Sequence, residues 1–205
     1  MFNMCMQVWR ADRRMKKSVV ALFLGFSALN VWAQDTLLTV PSVDLPRYLG
    51  TWVEIAKYPN RFQKKCVSNT SAQYSAQADG TLRVLNRCTQ QDGQISEAVG
   101  QARQIGGNTS PKLEVRFAPA WLSFLPWVWG NYWVIDLEAD YQLVAVSEPK
   151  REYLWVLSRT PTVNAQADGA LLCRLEKKGF DLTKLEKSKQ TPPERWPSIR
   201  RLIHL

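Results

Sequence analysis

The sequence predicts an all-β domain: an eight-stranded antiparallel up-and-down β-barrel with a C-terminal α-helix packed outside it. Three observations point there. From Trp52 to Arg159 the chain runs in short segments of period-2 alternation separated by turn residues, the pattern of successive strands. Their connections are mostly of hairpin length, so consecutive strands are neighbours. Beyond Arg159 the period lengthens to that of a helix. Closing such a sheet removes both exposed edges, and eight strands enclose an interior wide enough for one small ligand. A sandwich is the alternative architecture, although sandwiches use longer crossing connections than most of those here.

Taken in order, the first strand spans Trp52 to Tyr58. Asn69 to Gln77 and Thr81 to Cys88 form a hairpin across Ala78-Asp79-Gly80. Ile95 to Ile105 follows Asp92-Gly93 and ends at Gly106-Gly107-Asn108. Lys112 to Phe117 comes next, then an aromatic connection, then Asn131 to Leu137. Tyr141 to Ser147 and Tyr153 to Ser158 complete the set, joined by Glu148-Pro149-Lys150. The helix is predicted over Asn164 to Lys178, with apolar positions at Leu171, Leu172 and Leu175 and Gly179 to stop it. Leu182 to Glu186 is a candidate short extra strand. From Lys187 onward the chain holds Pro192, Pro193 and Pro197 among several Lys and Arg, the composition of a basic mobile or surface-bound tail.

The domain is expected to begin near residue 34. Met15-Lys16-Lys17 opens a basic segment, Val19 to Leu29 is apolar, and Val31-Trp32-Ala33 ends in a small residue, which together read as a signal peptide over 1–33, with Met15 as an alternative start. The apolar run is short of the roughly 20 residues that a membrane span needs. No Cys follows it to carry a lipid anchor. The expected location is therefore the periplasm, with association to the outer membrane by some other route.

The whole chain carries +9, from 27 basic and 18 acidic residues; removing residues 1–33, whose five cations and one Asp amount to +4, leaves +5. That is too modest for a nucleic-acid binder and compatible with an anionic lipid surface. Of the four Cys, Cys5 leaves with the signal segment. Cys66 and Cys88 flank a hairpin and are candidates for a disulfide in an oxidising compartment. Cys173, opposite the apolar helix face, is predicted to be an exposed thiol. No metal site and no cofactor are expected, because the Cys spacings match no ligand set and His204 is the only imidazole. The same lack of a base argues against Ser–His or Cys–His catalysis, and the chain is read as a non-enzyme.

Three motifs carry a family resemblance. Leu49-Gly50-Thr51-Trp52 resembles the G-x-W motif that opens the first strand of lipocalins; Asp140-Tyr141 resembles their D-Y motif before the seventh strand; Leu157-Ser158-Arg159-Thr160-Pro161 resembles the region after their last barrel strand. All three occur in order, and the likeness spans Val43 to Leu185. It is closest to the bacterial outer-membrane lipocalins and apolipoprotein D, through "RYLGTWVEIAKYPNRFQ" and "REYLWVLSRTPTV". The resemblance implies that Trp52 lies across the closed barrel end with Arg159 over its indole, that Gly50 allows the tight turn into the first strand, and that these residues are structural.

With Trp52 inward, strand parity places Glu54 and Ala56 inward too. Parity from Arg159 does the same for Trp155 and Tyr153, and Tyr74 and Tyr132 are further interior candidates. An aromatic interior with few charges suits an acyl chain. The connection from Ala120 to Gly130 has no charge and carries Trp121, Phe124, Trp127 and Trp129. In an alternating barrel it lies at the open end, where it is read as a membrane-contact loop or lid, the alternative being packing onto its own barrel. The expected function is an exported lipocalin that carries a lipid amphiphile, a fatty acid or lysophospholipid, as a monomer or homodimer, with peripheral membrane contact, no nucleic acid, and a role in membrane maintenance or stress. A filled barrel serving as an envelope interaction protein, or an enzyme using Glu54, are the alternatives.

Overall fold

The computed structural model describes residues 36–191. The expected signal segment, Cys5, and the tail from Pro192 through His204 lie outside the described residues.

The eight predicted strands are present: β1 (Gly50–Lys57), β2 (Cys66–Ala76), β3 (Leu82–Gln90), β4 (Ile95–Gln104), β5 (Lys112–Arg116), β6 (Gly130–Leu137), β7 (Leu143–Ser147) and β8 (Leu154–Ser158). A short helix α1 (Leu45–Tyr48) precedes them; α2 (Ala165–Lys177) and a two-residue strand β9 (Glu186–Lys187) follow. Each strand pairs antiparallel with the next, and β1 pairs with both β2 and β8, so the barrel closes.

Pleating divides the apolar residues into two cores. The inner one fills the barrel with Tyr48, Trp52, Tyr74, Leu113, Tyr132 and their neighbours. The outer one joins Ile135, Leu143, Ala145, Leu154 and Val156 to Leu171 and Leu175 of α2. Asn164 caps this helix by accepting from the backbone N–H of Gln166 at 2.8 Å and of Ala167 at 3.4 Å. At its other end Gly179 takes φ +83°, a left-handed stop that side chains resist. Arg174 clamps the helix to β6 through two 2.8 Å bonds to the Asp136 carboxylate.

Most differences from expectation lie at element ends. β7 begins at Leu143, because Tyr141 adopts φ +61° and belongs to the preceding turn. Leu182–Lys184 is a 3-10 turn capped by Asp181, and the extra strand lies just beyond it. The segment expected to be a mobile tail instead enters the sheet for its first residues. β9 pairs with Ala56 and Lys57; Ser188 N–H then donates to the Ile55 carbonyl at 2.9 Å and Asn69 N–H to the Lys189 carbonyl at 2.8 Å. The chain thus wedges between β1 and β2 where they diverge.

The Cys66–Cys88 disulfide forms, with Cα atoms 5.5 Å apart, and ties the start of β2 to the end of β3. Cys173 is corrected: it is half-buried, not exposed, and it is not a free thiol. A helical wheel reports one helix alone and takes no account of tertiary packing.

Candidate functional site

The two ends of the barrel are built differently. At the closed end Trp52 is fully buried, its Nε1–H donates to the Tyr48 carbonyl at 2.9 Å, and the Arg159 guanidinium lies 3.8 Å from its ring centroid. Arg159 also donates to the carbonyls of Thr51 (2.9 Å), Arg47 (2.8 Å) and Tyr141 (3.3 Å), which satisfies its planar fork while the cation faces the indole. Gly50 holds φ +93°, and a Cβ there would approach Arg159 Nη1 to 3.4 Å. Tyr141 accepts from Asp44 N–H at 2.9 Å and carries the Arg47 guanidinium 4.0 Å above its ring, while the Asp140 carboxylate accepts from Gln142 N–H at 3.3 Å. Trp52, Tyr141, Arg159 and Gly50 therefore gather around α1, which plugs this end, while Asp140 stands exposed in the turn beside Tyr141.

Above the plug, three buried phenols form a chain: Tyr74 donates to Tyr132 at 2.8 Å, and Tyr132 shares a 2.8 Å bond with Tyr48. Burial raises all three, Tyr74 to about 12, so each holds its proton at neutral pH and acts as a hydroxyl. Tyr48 had not been singled out; its place two residues before Gly50 was the available signal. Beside Tyr74 the wall carries smaller residues, with Ala72, Val84 and Ala102 in the interior and Gly100 covered by the Phe117 ring, which a Cβ would strike at 2.7 Å.

Toward the open end, Glu54 is buried on the inner face opposite Leu157. Its Oε2 accepts from Gln63 Nε2 and its Oε1 from Ser188 Oγ, both at 2.5 Å. Gln63 Oε1 in turn accepts from Trp155 Nε1 at 3.0 Å. Loss of water raises the Glu54 pKa from the ordinary carboxyl range, against the pull of Ser188, Gln63 and the Lys57 charge. Trp155 stacks on Tyr153 with centroids 5.7 Å apart and planes 13° off parallel, and Phe62 adds a third ring 5.5 Å from Tyr153. Gln63, Ser188 and Phe62 were missed, because they reach the site from a loop and a tail that carry no strand parity.

Ala56 is corrected. The pairing slips between Glu54 and Ala56, a bulge at Ile55, so Ala56 lands opposite Val156 in the outer core, while Lys57 comes opposite Trp155.

The aromatic connection is folded into two 3-10 turns, Ala120–Leu122 and Pro126–Val128. Within it Trp129 packs back: its Nε1–H donates to the Ser123 carbonyl at 2.9 Å and the Arg103 guanidinium lies 4.0 Å from its ring. Trp121, Phe124 and Trp127 point outward, 72%, 75% and 77% exposed. Among the described residues no group of three His, Cys, Asp or Glu is placed to hold a metal ion.

Residues 43–190 match the family described as Lipocalin-like domain. The chain is 38% identical to temperature-induced lipocalin-1 of Arabidopsis thaliana over 159 residues, 76% of this chain and 84% of that one. It is also 38% identical to outer membrane lipoprotein Blc of Escherichia coli K12 over 168 residues, covering 82% and 90%. Apolipoprotein D of Rattus norvegicus is 30% identical over 151 residues, covering 69% and 74%. Insecticyanin from the tobacco hornworm Manduca sexta, at 17% identity, superimposes with a TM-score of 0.60 over 76% of this chain and 85% of that one, which is a likeness of fold.

Proposed function

Because the chain belongs to the lipocalin-like family, a family of binders of small hydrophobic ligands, we propose that it is an exported carrier of a lipid amphiphile, a fatty acid or lysophospholipid, working at an envelope membrane. The observation that carries this reading is the contrast at the open end. Three large aromatic side chains of the β5–β6 loop stand in solvent beside an interior lined by aromatic and aliphatic side chains. Exposed apolar clusters of this kind mark an interaction surface, and Trp suits the membrane–water boundary, where its ring is apolar and its N–H stays wet. In this account the acyl chain enters the barrel, the polar head stays near Glu54 and Trp155, and Trp121, Phe124 and Trp127 touch the bilayer while ligand exchanges. The role is binding rather than catalysis. Its closest support on location is the relative named as an outer membrane lipoprotein, and the expected cleavage after Ala33 fits export.

Native mass spectrometry of the full chain, purified from an exporting host without detergent, tests the reading. An added mass that fragments to an acyl chain or lysophospholipid is the expected result. A clean apo mass that does not shift with oleate or lysophospholipid would instead favour a filled barrel, with the phenol chain and Trp52 as its packing, and an envelope interaction role.

A further inference from the structure

We infer that the open end carries a recognition site for the ammonium group of a zwitterionic lipid head, formed by Glu54 and the Trp155 ring and positioned by Gln63. The inference rests on the amphiphile reading and names the headgroup class that site takes. Glu54 is 2% exposed, on the inner face, and its partners among the described residues are two neutral donors, Gln63 and Ser188. No Lys or Arg of the described residues makes an ion pair with it; Lys57, whose charge acts on it, has its ammonium 3.6 Å from Glu186. A buried carboxylate without a cation is costly, and a well-packed apolar residue would serve the barrel wall better.

What surrounds this carboxylate is chemistry suited to a cation. One amide, Gln63, bonds both the carboxylate and the Trp155 indole N–H, and so holds the two a single side chain apart. Asn60 fixes that amide by donating to its Oε1 at 2.6 Å. Tyr153 backs Trp155 by stacking on it, which keeps the indole in place. Cations settle against indole faces, and a carboxylate alongside supplies the opposite charge. Beside Gln63 an open cleft of about 460 Å³ is lined by Lys57, Arg61 and Lys64, with Glu186 on Lys57, so the lining keeps a net positive charge. That cleft suits the phosphate of the same head, whose acyl chain occupies the barrel. A phosphoethanolamine or phosphocholine head presents both charges a few bonds apart; a phosphoglycerol head lacks the cation.

The test is calorimetric titration of the full chain, and of its Glu54→Gln and Ser188→Ala variants, with oleate and with lysophosphatidylethanolamine and lysophosphatidylglycerol of equal acyl length. The wild type is expected to prefer the ethanolamine lipid by about tenfold, the size of one charge-assisted contact. Glu54→Gln should bring that ratio close to one, and Ser188→Ala should keep the ratio. Equal affinities in the wild type, or a ratio unchanged in Glu54→Gln, would overturn the inference and leave the amphiphile reading standing. A ratio lost equally in Ser188→Ala would assign Glu54 to holding the tail and overturn it too. Failure of all three amphiphiles to bind would overturn the carrier reading and this inference with it.

Discussion

Both ends of this barrel place an arginine over a tryptophan, and they put the pair to different use. At the closed end Arg159 lies over Trp52 and donates to the carbonyls of Thr51, Arg47 and Tyr141 around the floor. At the open end Arg103 lies over Trp129, but Arg103 is half-exposed and forms an ion pair with Glu114 at 2.7 Å, and the neighbouring Trp121 and Trp127 face water. The indole under the arginine is fully buried at one end and half-exposed at the other. The contact itself is similar in geometry; burial decides what it is worth, since desolvation multiplies a cation–π attraction that solvent otherwise screens.

This contrast makes graded expectations. Trp52→Ala empties the floor and should cost about 3–5 kcal/mol in denaturant unfolding, whereas Trp127→Ala should stay within about 0.5 kcal/mol. Equal losses would erase the distinction between the ends. Replacing Cys66 and Cys88 together by Ser should cost about 3 kcal/mol by releasing a 22-residue separation in the unfolded chain. A negligible change would mean the open end needs no brace. Arg159→Ala leaves the Thr51 and Arg47 carbonyls unpaired and removes the cation, for an expected loss of about 2 kcal/mol. Arg103→Ala, at the exposed counterpart, should lose less than about 1 kcal/mol; a larger loss there than at Arg159 would invert the comparison.

Function should invert the order. Trp121→Ser with Trp127→Ser is expected to leave the melting temperature in place and weaken binding to anionic phospholipid vesicles by roughly tenfold, read by co-sedimentation. Unchanged sedimentation would remove the membrane from the proposed role. The smallest effect is the pH dependence from Glu54. Its folded pKa is raised above 4.5, so the folded protein holds that proton more tightly than the unfolded chain. The resulting stability is complete below the ordinary carboxyl value and is lost as pH rises through the raised one. Glu54→Gln should flatten this part of the stability profile, and an identical slope in the variant would show that the proton resides elsewhere.

Much of the closed end was legible in the residues themselves. Gly50, Trp52, Asp140, Tyr141 and Arg159 were singled out by short motifs, and each stands in a turn or in the strand next to one. The open end was legible as composition: a run of eleven residues without charge, from Ala120 to Gly130, announces an unusual loop. Its conformation was not: Trp129 parts company with Trp121 and Trp127 because its indole bonds the Ser123 carbonyl and lies against Arg103 and Arg116 from other strands.

Taken alone, the chain's order of residues determined the strand succession, the helix, the hairpin disulfide and the family, since alternation, turn chemistry and motifs are properties of neighbours in sequence. The tertiary structure decided three other things. It decided that Ala56 leaves the interior, because a one-residue bulge reverses parity and neither strand records where its partner slips. It decided that the segment after Lys187 becomes part of the sheet, because the gap between β1 and β2 exists only once the barrel closes. And it decided the surroundings of Glu54. A carboxylate's partners are set by what reaches it through space, here a loop nine residues away and a tail 134 residues away, and no local pattern encodes that meeting.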